Sequence, residues 1–137
     1  MTINVGSDDG VRPFDAVVNG EGLVGRVESV TASASQVQLL TDQKSYVDAI
    51  VLPGRAEGLA AGSVTGSMTL RYVDKSEEVK QGQLIVTSGR SGSVFIRGIP
   101  IGQVQSVGAQ EVQLYQSITL SPAVDFRKLD IVMVVKR

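Results

Sequence analysis

Residues 23–30 read LVGRVESV, in which Arg26 and Glu28 alternate with Val27. A period of two with valine at the apolar positions is typical of a β-strand. Comparable runs occur at residues 46–51, 117–120 and 131–135. Turn signals such as Asn19-Gly20 and Pro53-Gly54 recur about every 8–12 residues, as in sandwiches and small barrels. Because the only helical candidates are short, at residues 74–79 and 126–129, the sequence predicts an all-β protein.

Part of this stretch recurs later in the chain. Residues 25–30, GRVESV, parallel residues 102–107, GQVQSV; residues 11–18 parallel 79–86, and residues 37–40 parallel 112–115. Chance likeness between valine-rich strands is the alternative, but three segments in one order favour a duplication. A lone core of about 60–70 residues is marginal, so we expect two units that pack on each other. Closure into small antiparallel barrels would remove their edge strands.

The duplication also predicts where the units divide. We assign residues 1–60 to the first barrel unit and residues 61–137 to the second, with the boundary near residues 56–66. The final strand, at residues 131–135, is a candidate to cross back and complete the first unit.

Composition excludes several classes of function. The net charge is −1, from 13 basic and 14 acidic residues, and no basic run offers a nucleic-acid surface. The chain has no Cys and no His, which removes the usual zinc ligands and every catalytic device that needs imidazole. We therefore predict no catalytic residues, no metal and no cofactor, and interpret the protein as a non-enzyme.

Two glycine-rich motifs have structural interpretations. Residues 20–25, GEGLVG, fit the dinucleotide pattern, but a strand follows where a helix would be needed, so a hairpin turn is favoured. Residues 87–93, TSGRSGS, could cradle an anion or hold a nucleophilic serine. They lack the S-x-x-K spacing, and a connecting loop is the simplest interpretation. Such a surface loop is suited to contacting a partner.

Apolar residues are concentrated just after this loop, at residues 94–96 and 99–101. One hypothesis is a self-association or partner surface; the alternative is that these residues fill the second barrel. The three phenylalanines, Phe14, Phe95 and Phe126, are expected to be core residues, and an exposed one would be an interface anchor. The candidate partner-binding residues are Arg90, Ser91, Phe95, Ile96 and Ile99.

Six segments in one order resemble the MreC family of bacterial rod shape-determining proteins. They are GSDDGV at residues 6–11, GLVGRV at 22–27, VQLLTD at 37–42, GQLIVTSG at 82–89, Phe95 with GIPIGQV at 98–104, and DFRKLDIV at 125–132. The sequence departs from the family at residues 90–96, RSGSVFI, where family members usually have Gly-Leu-Gly-Gly-x-Phe-Pro. A partner contact that family members make through this loop therefore does not transfer directly to residues 90–96.

The resemblance implies two six-stranded barrels, similar to trypsin-type proteases but without their catalytic residues. It implies an extracytoplasmic scaffold of the cell-elongation machinery that self-associates and binds MreD and a class B penicillin-binding protein. The cytoplasmic tail, transmembrane helix and coiled coil of the family do not occur in the 137 residues, so we expect a fragment of a membrane-anchored protein. The alternatives are a β-barrel module of another envelope assembly, or a hydrolase that uses a base other than His.

Overall fold

A computed structural model describes residues 1–89, 95–108 and 114–135, except for the side chain of Ser117. Short 3-10 helices lie at Ser7–Asp9 and Phe126–Lys128, the second within a predicted helix; the other candidate, at 74–79, is a turn after a strand. The rest of the regular structure is β, which confirms the predicted class. The strands are β1 (Thr2–Ile3), β2 (Ala16–Val18), β3 (Leu23–Val30), β4 (Ser35–Leu39), β5 (Tyr46–Val51), β6 (Ala56–Ala61), β7 (Met68–Asp74), β8 (Leu84–Thr87), β9 (Pro100–Gly108), β10 (Tyr115–Pro122) and β11 (Met133–Val135).

The strands form two antiparallel sheets. Six of them close into a barrel in the order β10-β7-β6-β5-β8-β9, while the other five form a half-barrel in the order β1-β4-β3-β2-β11. The predicted pair of barrel units is therefore present, but only the second is closed. Within the described residues, the half-barrel has two edge strands, β1 and β11.

The boundary between the sheets differs from the predicted division at residue 60. Strands β5 and β6 belong to the closed barrel, because β5 pairs with β8 and with β6. The change of sheet lies between the end of β4 at Leu39 and the start of β5 at Tyr46. The division by repeat length did not allow for closing strands inserted between the two copies. The chain returns at its end, where β11 pairs with β2.

The duplication is visible in the turns that begin the two copies. Asp15 N donates to Arg12 O at 3.2 Å, and Asp15 Oδ2 accepts from Arg12 N at 3.0 Å. Gln83 N donates to Lys80 O at 3.3 Å, and Gln83 Oε1 accepts from Lys80 N at 2.9 Å. Residues 12–15 and 80–83 thus make the same turn, one closed by a carboxylate and the other by an amide.

The equivalence continues into the sheets, where β2-β3-β4 matches β8-β9-β10. A side chain added at Gly25 would overlap the carbonyl oxygen of Gln38, and one added at Gly102 would overlap that of Ser121. Residues 37–40 therefore correspond in space to residues 120–123. The predicted parallel with residues 112–115 rested on similar apolar composition and was wrong. The two copies align instead by the carbonyl oxygens that Gly25 of β3 and Gly102 of β9 face.

One apolar core joins the two sheets. Ala16, Leu23 and Leu40 of the half-barrel unit are buried in the same cluster as Leu70, Ile101 and other residues of the closed barrel. A second cluster contains Val17 and the opposite side of the half-barrel, because neighbouring residues of a strand point to opposite faces. The shared cluster explains how two units that are each too small for a strong core are held together.

Candidate protein-interaction surfaces

The described residues offer little chemistry for catalysis. They contain no cluster of three or more metal-ligating side chains and no helix long and apolar enough to cross a membrane. The pKa values of two carboxyls are lowered, that of Asp74 chiefly by hydrogen bonds from Ser76 and that of Asp125 chiefly by the backbone N–H of Arg127. These hydrogen bonds belong to a turn and to the start of a 3-10 helix, so both carboxyls have structural explanations.

Ser88 is the serine of the candidate loop at residues 87–93 that the structure describes, and its hydroxyl is buried. It is 8% exposed, and its backbone N–H donates to Asp48 O at 3.0 Å. Its hydroxyl has no hydrogen-bond partner among the residues that the structure describes. No described side chain is therefore placed to take its proton, which a serine nucleophile requires.

The predicted partner-binding residues fall into three groups. Arg90 and Ser91 lie outside the described residues. Phe95 is 4% exposed and Ile99 is partly buried, and both pack in the shared core. Ile96 is 54% exposed. The alternative that this segment fills the second barrel accounts for Phe95 and Ile99, which leaves Ile96 as the described member of the set that faces solvent.

Thr87 fixes the turn that presents Ile96. The buried Thr87 hydroxyl donates to Ile96 O at 2.6 Å and accepts from Ile99 N at 2.9 Å. The Gly98 N–H also donates to Thr87 O at 2.9 Å. An apolar side chain held outward by a buried hydrogen-bonded turn loses little conformational freedom on binding, which favours affinity.

A pair of tyrosines on the closed barrel was not predicted. Tyr72 and Tyr115 are 58% and 43% exposed, and their rings meet edge to face with centroids 5.5 Å apart. Tyr72 has a φ of 64° where the register between β7 and β10 shifts. Positive φ is unusual for a bulky residue, and such irregularities re-aim side chains. The rings line a cavity of about 470 Å³ with Asp48, Arg55, Glu57, Gly58, Leu59, Asp74 and Glu77.

Phe14 is exposed in the half-barrel unit, contrary to the expected core position. Its side chain is 50% exposed, and the Arg26 guanidinium carbon lies 5.5 Å from its ring centroid. Its φ is 74°, while Gly82, at the same place in the other copy, has a φ of 87°. Because this conformation is favourable for glycine and costly for phenylalanine, local backbone stability does not explain the aromatic residue.

Comparison with known proteins identifies the group to which the fold belongs. The family model of rod shape-determining protein MreC, barrel core, matches residues 1–136. The chain belongs to the MreC family. This confirms the resemblance carried by the six sequence segments.

Individual MreC proteins agree with that assignment. The chain is 39% identical to MreC of Cereibacter sphaeroides over 104 residues, covering 76% of this chain and 34% of that protein. It is 37% identical to MreC of Listeria monocytogenes over 142 residues, covering all of this chain and 48% of that one. The chain thus spans half or less of the length of these two relatives.

Solved MreC structures share the fold. MreC from Pseudomonas aeruginosa superposes with a TM-score of 0.90 at 30% identity, covering 98% of this chain and 86% of that one. A complex between the penicillin-binding protein PBP2 and MreC from Helicobacter pylori gives a TM-score of 0.71 at 18% identity, covering 87% and 74%. At 18% identity the likeness is evidence for the fold alone.

Proposed function

We propose that this domain is a non-enzymatic protein-binding module of the bacterial cell-elongation machinery, acting outside the cytoplasmic membrane as part of a membrane-anchored scaffold. The observation that carries the proposal is the match to the MreC barrel core over residues 1–136. Exposed aromatic and apolar side chains on rigid strands and turns support a binding role. The absence of Cys and His from the sequence argues against an enzyme; turnover of peptide, ester or glycan substrates by the purified domain would contradict this part.

A class B penicillin-binding protein is the partner that we assign to the tyrosine surface, defined as Tyr72 and Tyr115 with the cavity beside them. The MreC of Helicobacter pylori has been solved in complex with the penicillin-binding protein PBP2. Tyrosine is enriched at binding hot spots because its ring buries area while its hydroxyl remains hydrogen-bonded. MreD is a second expected partner, for which the described residues suggest no particular surface.

The tyrosine surface can be tested without unfolding the protein. Tyr72→Gly removes the ring while glycine accepts the positive φ, so the fold should be kept. We expect affinity for the penicillin-binding protein of the same bacterium, measured by calorimetry, to fall at least about tenfold, as at a hot spot. Tyr46→Ala is the matched control, because Tyr46 is 51% exposed but does not line the cavity. Equal binding by Tyr72→Gly and the parent would contradict the assignment.

We also propose that copies of the domain associate through the turn that presents Ile96. Ile96→Asp places a charge on an exposed position, where stability changes are usually small. Sedimentation over a range of concentrations should then show a weaker assembly than that of the parent. Val64→Asp is the control, since Val64 is 81% exposed and belongs to another loop. A folded Ile96→Asp variant that associates like the parent would rule out this surface.

A further inference from the structure

A polar cleft lies where the half-barrel meets the closed barrel. It has a volume of about 460 Å³, within the range of about 300–1,000 Å³ that is usual for small-molecule sites. Its walls come from β3 and β4 of the half-barrel, from the segment that joins the two sheets, and from the loop between β6 and β7 of the closed barrel. The lining residues are Glu28, Gln38, Asp42, Gln43, Lys44, Ser63 and Val64.

Local contacts hold the walls of this cleft in place. In the joining segment, Lys44 N donates to Asp42 Oδ1 at 2.8 Å. In the loop, the Ser63 hydroxyl donates to Ser67 O at 3.0 Å. The two segments approach closely because residue 62 is glycine, where a side chain would overlap the carbonyl oxygen of Asp42. A site whose walls are fixed before binding loses little conformational entropy when a ligand arrives.

Gln38 brings to the cleft a buried amide with unused donors. Its side chain is 9% exposed, and its Oε1 accepts from Arg26 Nε at 3.2 Å. Because the Nε–H of arginine can only donate, this bond fixes which end of the amide is the oxygen. No group among the described residues accepts from Gln38 Nε2, and Gln38 lines the cleft. A buried N–H without an acceptor is costly, so a ligand oxygen at this point would be stabilising.

The duplication shows that strand pairing does not require this amide. Arg26 and Gln38 are opposite each other in β3 and β4. At the same place in the other copy, Gln103 and Ser121 are opposite each other in β9 and β10. Both of these counterparts are exposed. The buried amide of Gln38 is therefore a feature of one copy, and the arrangement of the strands does not explain it.

The chemistry of the lining indicates a ligand with many hydroxyl groups. Glu28 and Asp42 offer carboxylate acceptors, while Lys44 offers an ammonium donor. Since both signs of charge occur in one cleft, neither a simple anion nor a simple cation matches it. A hydroxyl group donates to a carboxylate and accepts from an amide or an ammonium, so it complements all of these groups. Val64 is the apolar residue of the lining and is 81% exposed, whereas peptide sites use apolar pockets or sheet edges.

We propose that this cleft binds a carbohydrate chain. Hydroxyl or acetamido oxygens of the sugar accept from Gln38 Nε2 and Lys44 Nζ, and sugar hydroxyls donate to the carboxylates of Glu28 and Asp42. Arg26 is a positioning residue, because it holds the oxygen of the Gln38 amide and leaves the two N–H donors for the sugar. The proposal is independent of the protein partners assigned above, since the lining of the cleft includes neither the tyrosine surface nor the turn that presents Ile96.

A titration of the intact domain followed by NMR tests the class of ligand. The probes are chitotetraose and, in parallel, cellotetraose, which lacks acetamido groups. Binding of either sugar should shift the side-chain amide signals of Gln38 and the backbone amide signals of residues 42–44 and 63–64. Glycerol at the same concentration of hydroxyl groups should leave these signals in place. Equal shifts with glycerol, or no shift with millimolar amounts of both sugars, would overturn the proposal.

Variants test the role of the buried amide. Gln38→Glu keeps an oxygen for Arg26 but removes both Nε2 donors, so the affinity for the sugar should fall at least about tenfold. Gln36→Glu makes the same change of charge on the same strand, outside the cleft, and should bind like the parent. Circular dichroism checks that both are folded.

Glu28→Gln provides a second variant at an exposed position, where stability changes are usually small. It should also weaken sugar binding, because a charged acceptor forms a stronger hydrogen bond than an amide oxygen does. Equal affinity of the parent and of the folded cleft variants for the sugar would contradict the assignment of these residues and overturn the proposal.

Discussion

The two copies of the duplicated unit share the same three-strand arrangement, called here the strand frame, which is β2-β3-β4 in one copy and β8-β9-β10 in the other. They differ in the strands that flank it. In one copy, Phe14 N donates to Val27 O and Val27 N donates to Asp15 O, each at 2.8 Å. In the other, Gly82 N donates to Val104 O at 2.8 Å, and Val104 N donates to Gln83 O at 2.9 Å. The second copy is then closed by β5, β6 and β7, while β1 and β11 are the strands that flank the first in the part of the chain that the structure describes. Where the copies agree, the residues have structural roles; where they differ, as at Phe14 and Gly82, the shared strand arrangement does not determine the residue.

The largest effect is expected where the copies agree most closely. Gly25→Ala and Gly102→Ala would each drive a methyl group into a neighbouring strand's carbonyl. Because backbone must move to make room, we expect both to lose about 3 kcal/mol of unfolding free energy in urea titrations, by similar amounts. Gly54→Ala, which meets no atom within 4 Å, should change stability by less than about 1 kcal/mol. Strongly unequal losses of unfolding free energy would show that Gly25 and Gly102 are not structurally equivalent.

A smaller effect is expected where the copies differ. Phe14 and Gly82 share a left-handed conformation, so Phe14→Gly should be about 1 kcal/mol more stable than Phe14→Ala, which retains the strain. Gly82→Ala should lose a comparable amount relative to the parent. Thermal unfolding of the four proteins measures both differences. If Phe14→Ala is as stable as Phe14→Gly, the aromatic residue is not strained, and its conformation gives no reason to assign it a binding role.

The strand frame could be predicted from the sequence because local patterns determine it. The segments around Gly25 and Gly102 are recognisable since each needs alternating polarity and a glycine where a neighbouring strand approaches closely. The remaining motif, at residues 37–40, was matched to the wrong partner, because apolar composition does not record which carbonyl a strand faces. Pairing between distant strands, such as β5 with β8, has no local signal, and this is why the unit boundary was misplaced.

The interaction surfaces were harder to predict, for related reasons. Phe95 and Ile96 are adjacent and both apolar, but the hydrogen-bonded turn at Thr87 leaves one buried and the other exposed. Tyr72 reaches the surface through an irregularity between β7 and β10, which alternation alone does not reveal. Phe14 would have been found by comparing the copies turn by turn, since its counterpart is a glycine. The opening between β1 and β11 among the described residues follows only from the sheet order.

The central claim, that among the described residues one copy is closed and the other is open between β1 and β11, is tested most directly by amide hydrogen exchange of the free monomeric domain. The amides of β1 and β11 that do not donate to β4 or β2 should exchange as fast as those of exposed loops. Their counterparts in β5 and β7, which pair on both sides, should be protected close to the free energy of global unfolding. Equal protection of the two sets in the free monomer would show that the half-barrel is already closed and would contradict the account.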